Sequence, residues 1–153
     1  MNSIISKFYS AFTSLDAEGM VAYYHDDIVF QDPAFGQQKG ERAKNMWRML
    51  CQSQKGKDFR MEYSDVTSKG IYARAHWEAH YNFSQTGRRV HNKIDASFKF
   101  KDGLIVQHDD SFNLHAWAKQ ALGFKGIVLG GTSFFQRKLN AQTNAMLSKF
   151  ESR

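Results

Sequence analysis

Four polar side chains occupy positions where the alternating pattern of the sequence otherwise places apolar residues on one face of a strand. They are Asp32, Asn92, His108 and Asp110. Because an unpartnered charge in an apolar core costs several kcal/mol, these groups must meet one another, a cavity or water. We therefore predict one cavity that all four side chains line. The alternative is a closed hydrogen-bonded network, in which His108 and Asp110 bond to backbone groups.

The chemistry available to these side chains is proton transfer. Asp32 is expected in a pocket with aromatic walls, and a carboxyl group in such a pocket has its pKa raised by desolvation. Such a group suits a general base that removes a proton from a carbon next to a carbonyl group. His108 is a second candidate acid or base, oriented by Asp110, because residues i and i+2 of a strand share a face and lie about 6.6 Å apart.

Aromatic residues make up 14% of the chain, which is rich enough for an aromatic core or an aromatic-lined cavity. We expect the walls that bind a ligand to contain Trp47, Trp77, Tyr81, Phe98 and Phe112.

The first half of the sequence has mainly helical periodicity. Apolar residues predict a helix over 3–14, and Asp16 can cap a second, short helix. Alternation predicts a short strand over 28–32, which ends at a turn because Pro33 lacks a backbone donor. A third helix is predicted to start after Gly40.

The second half changes to a period of two and predicts four strands followed by helices. The strands are expected over 59–63, 71–83, 90–100 and 104–112. Asp102 and Gly103 predict a type I′ hairpin turn, and a helix follows from Leu114 to Leu122. After a glycine-rich link, the final helix is predicted over 133–153. These elements predict an α+β fold over residues 1–153, in which helices cover the apolar, concave face of an antiparallel sheet.

Composition excludes several classes of protein. The 153 residues are 42% hydrophobic and 24% charged, which excludes a disordered chain. The net charge of +6 is scattered along the chain, so we expect no nucleic-acid partner. The sequence has no run of 18 apolar residues, so we expect no membrane span. Cys51 is the only cysteine, so no intrachain disulfide can form. This cysteine usage fits a reducing compartment and predicts a cytoplasmic location.

No metal or cofactor is expected from the motifs. His76 and His80 superficially resemble a zinc-binding pair, but positions four apart on a strand are about 13 Å from each other, too far for two nitrogens on one zinc. A group formed by Asp32, His108 and Asp110 lacks further ligands. The glycines after Leu122 are not followed by the lysine of a phosphate-binding loop.

Two segments carry a resemblance to a known family. AEGMVAYYHDDIVFQDPAFG and HDDSFNLHAWAKQALG resemble SnoaL-like and ketosteroid isomerase-like proteins of the nuclear transport factor 2-like superfamily. With the order of elements, the resemblance extends over nearly the whole chain. It implies a cone-shaped, curved antiparallel sheet, also called cystatin-like, covered on its concave face by the N-terminal helices.

The resemblance also implies a cofactor-free isomerase or cyclase that acts on an apolar or carbonyl-containing small molecule. Asp32 falls at the position of the ketosteroid isomerase general base, and Tyr9 falls near the tyrosine that donates to the oxyanion. The second, acidic donor of that pattern would fall at Ala96. The base of the SnoaL-like cyclases would fall at Asn113. Neither family's set is therefore complete in this sequence.

Two other functions fit the same pattern: a binding protein that sequesters an apolar ligand, and a protein-interaction module. The outer face of the predicted sheet mixes aromatic, histidine and oppositely charged side chains. The family resemblance adds that many relatives pair through this side of the sheet. We therefore expect a homodimer built on that face. The residues of the outer face are Tyr72, Arg74, His76, Glu78, His80, His91, Lys93, Asp95 and Lys99.

Overall fold

One curved, open sheet of six strands organises the molecule, as a computed structural model describing residues 1–153 shows. Six helices accompany it. The strands are β1 (Tyr24–Asp32), β2 (Gly36–Lys39), β3 (Arg60–Lys69), β4 (Tyr72–Asn82), β5 (Arg89–Lys101) and β6 (Leu104–Ser111). The helices are α1 (Asn2–Thr13), α2 (Ala17–Val21), α3 (Glu41–Gln54), α4 (Leu114–Leu122), α5 (Phe124–Leu129) and α6 (Ser133–Glu151). The predicted α+β fold with a curved sheet is confirmed.

The strand order is β2-β1-β6-β5-β4-β3. All neighbouring strands are antiparallel except β1 and β6, which run parallel with Phe30 opposite His108. This pair departs from the predicted antiparallel arrangement. Alternation along a strand reports which face is buried, but it carries no information about the direction of a partner strand that is distant in the chain.

The register of the long strands follows the predicted alternation. Trp77 pairs with Ile94 and Ala75 pairs with Ala96, and all four side chains are buried on the inner face. The turn between β5 and β6 is the predicted type I′ turn, since Asp102 and Gly103 both have positive φ, 54° and 76°.

Four elements differ from the prediction. β3 extends to Lys69, beyond the predicted end at residue 63, because it pairs with β4 as far as Tyr72. β1 begins at Tyr24 instead of residue 28, and both β2 and α5 lie in segments predicted to have no regular structure. β2 has the sequence GQQK, in which only Gln38 is buried, so it has no apolar alternation to recognise. Its strand conformation comes from pairing with β1.

Two apolar clusters hold the helices on the sheet. α1 contributes Phe8 and Phe12 to the larger cluster, and Leu147 of α6 is also buried there. The smaller cluster contains Val90 of β5 and Trp117 of α4. No helix of the structure combines the length and apolar character needed to cross a membrane.

Candidate active site

A cavity of about 250 Å³ lies between the inner face of the sheet and the helices α3, α4 and α6. Hydrophobic residues provide 17 of its 26 lining residues, which favours a largely apolar ligand. The sequence-predicted residues that line it are Asp32, Trp47, Trp77, Tyr81, Asn92, Asp110 and Phe112. Those that do not line it are Tyr9, Phe98 and His108.

Asp32 ends β1, and its carboxylate closes the following turn. Oδ1 accepts the backbone N–H groups of Ala34 at 2.9 Å and Phe35 at 2.6 Å. The side chain is only partly accessible, and its accessible part faces the cavity, where protein atoms surround it on most sides. The pKa of this carboxyl is raised from 3.8 to about 7, chiefly by desolvation. The two backbone bonds lower the pKa and the negative charge of Asp110 raises it, and both effects are included in this value.

Asp110 reaches the cavity from β6 and is held by two donors on Oδ1. His108 Nε2 lies 2.9 Å from this oxygen, and the indole N–H of Trp77 donates to it at 3.4 Å. Ala96 is its register partner on β5. The small side chain of Ala96 leaves room for the carboxylate on the inner face.

His108 is completely buried behind the cavity wall, so the prediction that it lines the cavity is wrong. Tyr24 Oη lies 2.7 Å from His108 Nδ1 and accepts the indole N–H of Trp47 at 2.8 Å. Burial raises the pKa of Tyr24 well above its usual value, so the hydroxyl stays protonated and can donate a hydrogen bond to Nδ1. The carboxylate of Asp110 can only accept, so Nε2 is the donor to it. The imidazole then carries its proton on Nε2 and donates to Asp110. The alternative network predicted from the sequence had backbone partners; here the partners of His108 and Asp110 are the side chains of Tyr24 and Trp77, and Asp110 also lines the cavity.

Tyr81 offers a hydrogen-bond donor to the cavity. Its hydroxyl oxygen accepts the indole N–H of Trp117 at 2.7 Å, which leaves its own proton free to donate. Burial raises the pKa of Tyr81 and so does the negative charge of Asp32, whereas the bond from Trp117 lowers it. The polar amide of Asn92 lines the same cavity.

The sequence profile of the SnoaL-like domain matches residues 5–108, which is well over half of the chain. The match includes all of β1, β4 and β5 and ends at His108, two residues before Asp110. The chain belongs to the SnoaL-like domain family. The family resemblance predicted from the sequence is therefore confirmed. No functionally curated protein matches the sequence.

Solved structures share the fold of this SnoaL-like domain at low sequence identity. A nuclear transport factor 2-like protein of unknown function from Burkholderia pseudomallei has a TM-score of 0.66 and 16% identity, over 80% of this chain and 98% of that one. A provisionally assigned polyketide cyclase from Xanthomonas campestris pv. campestris has a TM-score of 0.62 and 20% identity, over 77% and 93%.

A third structure is a protein with a ketosteroid isomerase-like fold from Catenulispora acidiphila, in complex with trimethylamine. It has a TM-score of 0.63 and 11% identity, over 77% of this chain and 91% of that one. At these identities the three likenesses establish the fold alone.

Two residues that the family pattern singles out have other surroundings here. Tyr9 is completely buried behind the cavity wall, stacked on Tyr63 with ring centroids 5.4 Å apart, and its hydroxyl has no hydrogen-bond partner. Burial, followed by the negative charge of Asp110, raises its pKa well above the usual value. Asn113 caps α4 by accepting the backbone N–H of Ala116.

Sequence reasoning missed the part that α6 has in the site. Asn140 and Thr143 bond to the carbonyl oxygen of Ala34 at 2.8 and 2.9 Å, and Asn144 bonds to that of Phe35 at 2.9 Å. These bonds fix the turn on which the Asp32 carboxylate depends. Partners more than 100 residues apart leave no periodic signal, so the sequence could not reveal them.

A second depression, of about 450 Å³, lies elsewhere on the sheet. It is larger, but only 3 of its 11 lining residues are hydrophobic. Neither Asp32 nor Asp110 is among the 11. The smaller cavity brings two carboxylates together among aromatic side chains. It is therefore the better candidate for an active site.

Proposed function

We propose that this SnoaL-like domain is a cofactor-free enzyme that moves a proton on a carbon next to a carbonyl group, giving isomerisation or cyclisation. The observation that carries the proposal is the carboxyl group of Asp32. It has a pKa of about 7 and faces an apolar cavity that also contains Asp110. A base with a pKa near neutrality is ionised often enough to act and basic enough to remove the proton.

In this proposal Asp32 removes the proton, and Tyr81 donates a hydrogen bond to the oxygen on which negative charge develops. Asn92 is the second candidate donor, since it lines the same cavity. Asp110 is the second catalytic group. It is the register partner of Ala96, so it brings a carboxyl group next to the position where the ketosteroid isomerase pattern has its acidic donor.

His108 and Tyr9 act indirectly in this scheme. His108 is a positioning residue, because it donates to Asp110 and does not reach the cavity. The hydroxyl of Tyr9 lies near enough to Asp110 for the carboxylate charge to raise its pKa. We assign Tyr9 the role of donor only if a ligand opens the wall that covers it.

The substrate we expect is a compact, largely apolar carbonyl compound. The cavity of about 250 Å³ is slightly smaller than the usual range for small-molecule sites, and its aromatic walls suit a flat ring.

The test is the exchange of α-protons for deuterium in a panel of cyclic ketones and β-diketones in D₂O, followed by NMR. We expect the wild-type protein to accelerate exchange for at least one compound. Asp32→Asn should abolish the acceleration, because the amide keeps the turn but cannot remove a proton. Asp109→Asn is the matched control, since Asp109 bonds Gln107 and does not line the cavity. Equal activity in Asp32→Asn and wild type would contradict the proposal.

A second candidate is a binding protein without catalysis. The observation that favours it is the structural use of Asp32, whose Oδ1 already closes a turn of the kind that aspartate commonly forms. If a ligand binds Asp32→Asn and wild type equally and neither protein exchanges its protons, this second function is correct. A protein-interaction module would instead give a stable protein partner and no small-molecule ligand.

We also propose a homodimer formed through the outer face of the sheet and a cytoplasmic location. The outer face contains Tyr72, whose side chain is 58% exposed, beside charges of both signs that can pair across a two-fold axis. Cys51 is a buried, free thiol, which fits a reducing compartment.

A further inference from the structure

A cluster of histidine and glutamate side chains lies on the outer face of the sheet, on the side opposite the cavity. His80 of β4 and His91 of β5 are register partners, and their imidazole rings stack with centroids 4.0 Å apart. Glu78 lies two residues before His80 on the same face, and its Oε1 is 2.6 Å from His91 Nε2. One ligand atom from each of these three residues lies within 4.8 Å of the others.

This donor set suits a divalent transition metal. Two imidazole nitrogens and one carboxylate oxygen are common ligands of Zn²⁺, at distances of about 2.0–2.2 Å. Ligands at such distances lie about 3.3 Å from one another around a tetrahedral ion. The separations in the cluster are within 4.8 Å, so small side-chain rotations bring the three atoms to that spacing. The ion would replace the proton shared by Glu78 and His91.

The surroundings of Glu78 resemble the outer shell of a metal site. Its second oxygen, Oε2, lies 2.8 Å from His76 Nε2, and His76 Nδ1 lies 2.8 Å from Oδ1 of Asp95. These two hydrogen bonds hold the carboxylate of Glu78 in place while its Oε1 faces His91. Hydrogen-bonded partners of this kind orient metal ligands and strengthen binding.

The charges around the cluster also favour a cation. Glu62 lies beside His80, with Oε1 3.4 Å from Nε2, and can supply a fourth ligand in place of water. Three cations lie near the cluster on this face: Lys93, the register partner of Glu78; Arg60, the register partner of His80; and Arg89, two residues before His91. Arg89 forms an ion pair with Asp58, so three carboxylates, including Asp95, face two cations that have no such partner.

We propose that Glu78, His80 and His91 form a binding site for a divalent transition-metal ion, with Zn²⁺ the ion that fits best. The site uses a pair of histidines from neighbouring strands. The pair His76 and His80, on one strand, remains too widely spaced for this purpose. The site lies outside the cavity, so it does not depend on the function proposed for Asp32.

The test is a calorimetric titration of Zn²⁺ into the tag-free, chelator-treated full chain. We expect one ion per chain. His80→Ala, His91→Ala and Glu78→Gln should each weaken the affinity at least about tenfold, since each removes a ligand. His115→Ala is the control, because His115 lies on α4 without a carboxylate partner. Its affinity should equal that of wild type.

A second measurement does not depend on variants. In the wild-type protein, Zn²⁺ should shift the imidazole NMR signals of His80 and His91 and leave those of His25 and His115 unchanged. The proposal is overturned if wild type shows no saturable binding, if His115→Ala loses as much affinity as the cluster variants, or if the shifted signals belong to other histidines.

Discussion

The imidazole of His108 and the carboxylate of Asp110 form a hydrogen bond of 2.9 Å, with 0% and 3% of their side chains exposed. The two residues are i and i+2 on β6, so both point to the inner face. Only Asp110 reaches the cavity, whereas His108 is enclosed by aromatic rings and bonds to Tyr24 on its other side. The pair therefore connects the buried hydroxyl of Tyr24 to a carboxylate that lines the cavity.

Replacing His108 should lower the free energy of unfolding much more than neutralising Asp110. His108→Ala leaves a buried hydroxyl and a buried carboxylate without this partner, and we expect a loss of about 3–5 kcal/mol in the free energy of unfolding. Asp110→Asn keeps an oxygen that can accept from His108 Nε2, so its loss should be smaller. Urea unfolding measures both. Equal losses would show that the bond does not hold this part of the core.

Asp32→Asn should make the protein more stable at high pH. The carboxyl group ionises at about 7 when folded and near 3.8 when unfolded, so the folded state binds more protons between these values. The contribution of this carboxyl group to the free energy of unfolding is largest below about pH 4 and decreases as the pH rises to about 7. The advantage of the asparagine variant should grow over that range, to about 4 kcal/mol at most above pH 7. Thermal unfolding at pH 4 and pH 8 measures it; an advantage independent of pH would contradict the raised pKa.

The same ionisation predicts the pH dependence of the proposed reaction. General-base catalysis requires the deprotonated form of Asp32, so the rate of α-proton exchange should rise with pH and level off above about pH 7. The pH profile of wild type measures this. A rate that stays constant from pH 5 to 8 would assign the base to another group.

Tyr9→Phe should leave stability unchanged or raise it by about 1 kcal/mol. The tyrosine hydroxyl is buried without a hydrogen-bond partner, and such a group typically costs about 1–3 kcal/mol. Phenylalanine keeps the ring that stacks on Tyr63. Chemical denaturation decides the outcome, and a clear loss of stability would mean that the hydroxyl has a partner in solution, such as a water molecule.

Light scattering at micromolar concentration tests the proposed homodimer, since one chain has a mass of 17.6 kDa. We expect twice that mass for wild type and a single-chain mass when Tyr72→Asp is combined with Lys93→Glu on the outer face. Lys125→Glu, on α5 and away from the sheet, should leave the dimer intact. A single-chain mass for wild type rejects the dimer, and a dimer that survives the double change rejects this interface.

The sequence by itself determined the long strands, their inner face and most helices. Residues of β4 and β5 alternate so regularly that a shift of one position would turn every apolar side chain outward. Asp102 and Gly103 specify the turn between β5 and β6, because few other residues accept positive φ at both positions. These features depend on neighbours within a few residues. The same alternation identified Asp32, Asn92 and Asp110 as polar groups on an apolar face, and all three line the cavity.

Only the tertiary structure decided how these groups are used. His108 and Asp110 share a face of one strand, but the packing of α1 and α3 encloses the first and leaves the second at the cavity. The turn at Asp32 is held by hydrogen bonds from α6. β2 adopts a strand conformation because it pairs with β1. On the outer face, the register of β4 and β5 places His80 beside His91. Two histidines of one strand, such as His76 and His80, lie too far apart to bind one ion. Such contacts join residues far apart in the chain, and local periodicity carries no record of which distant residues become neighbours.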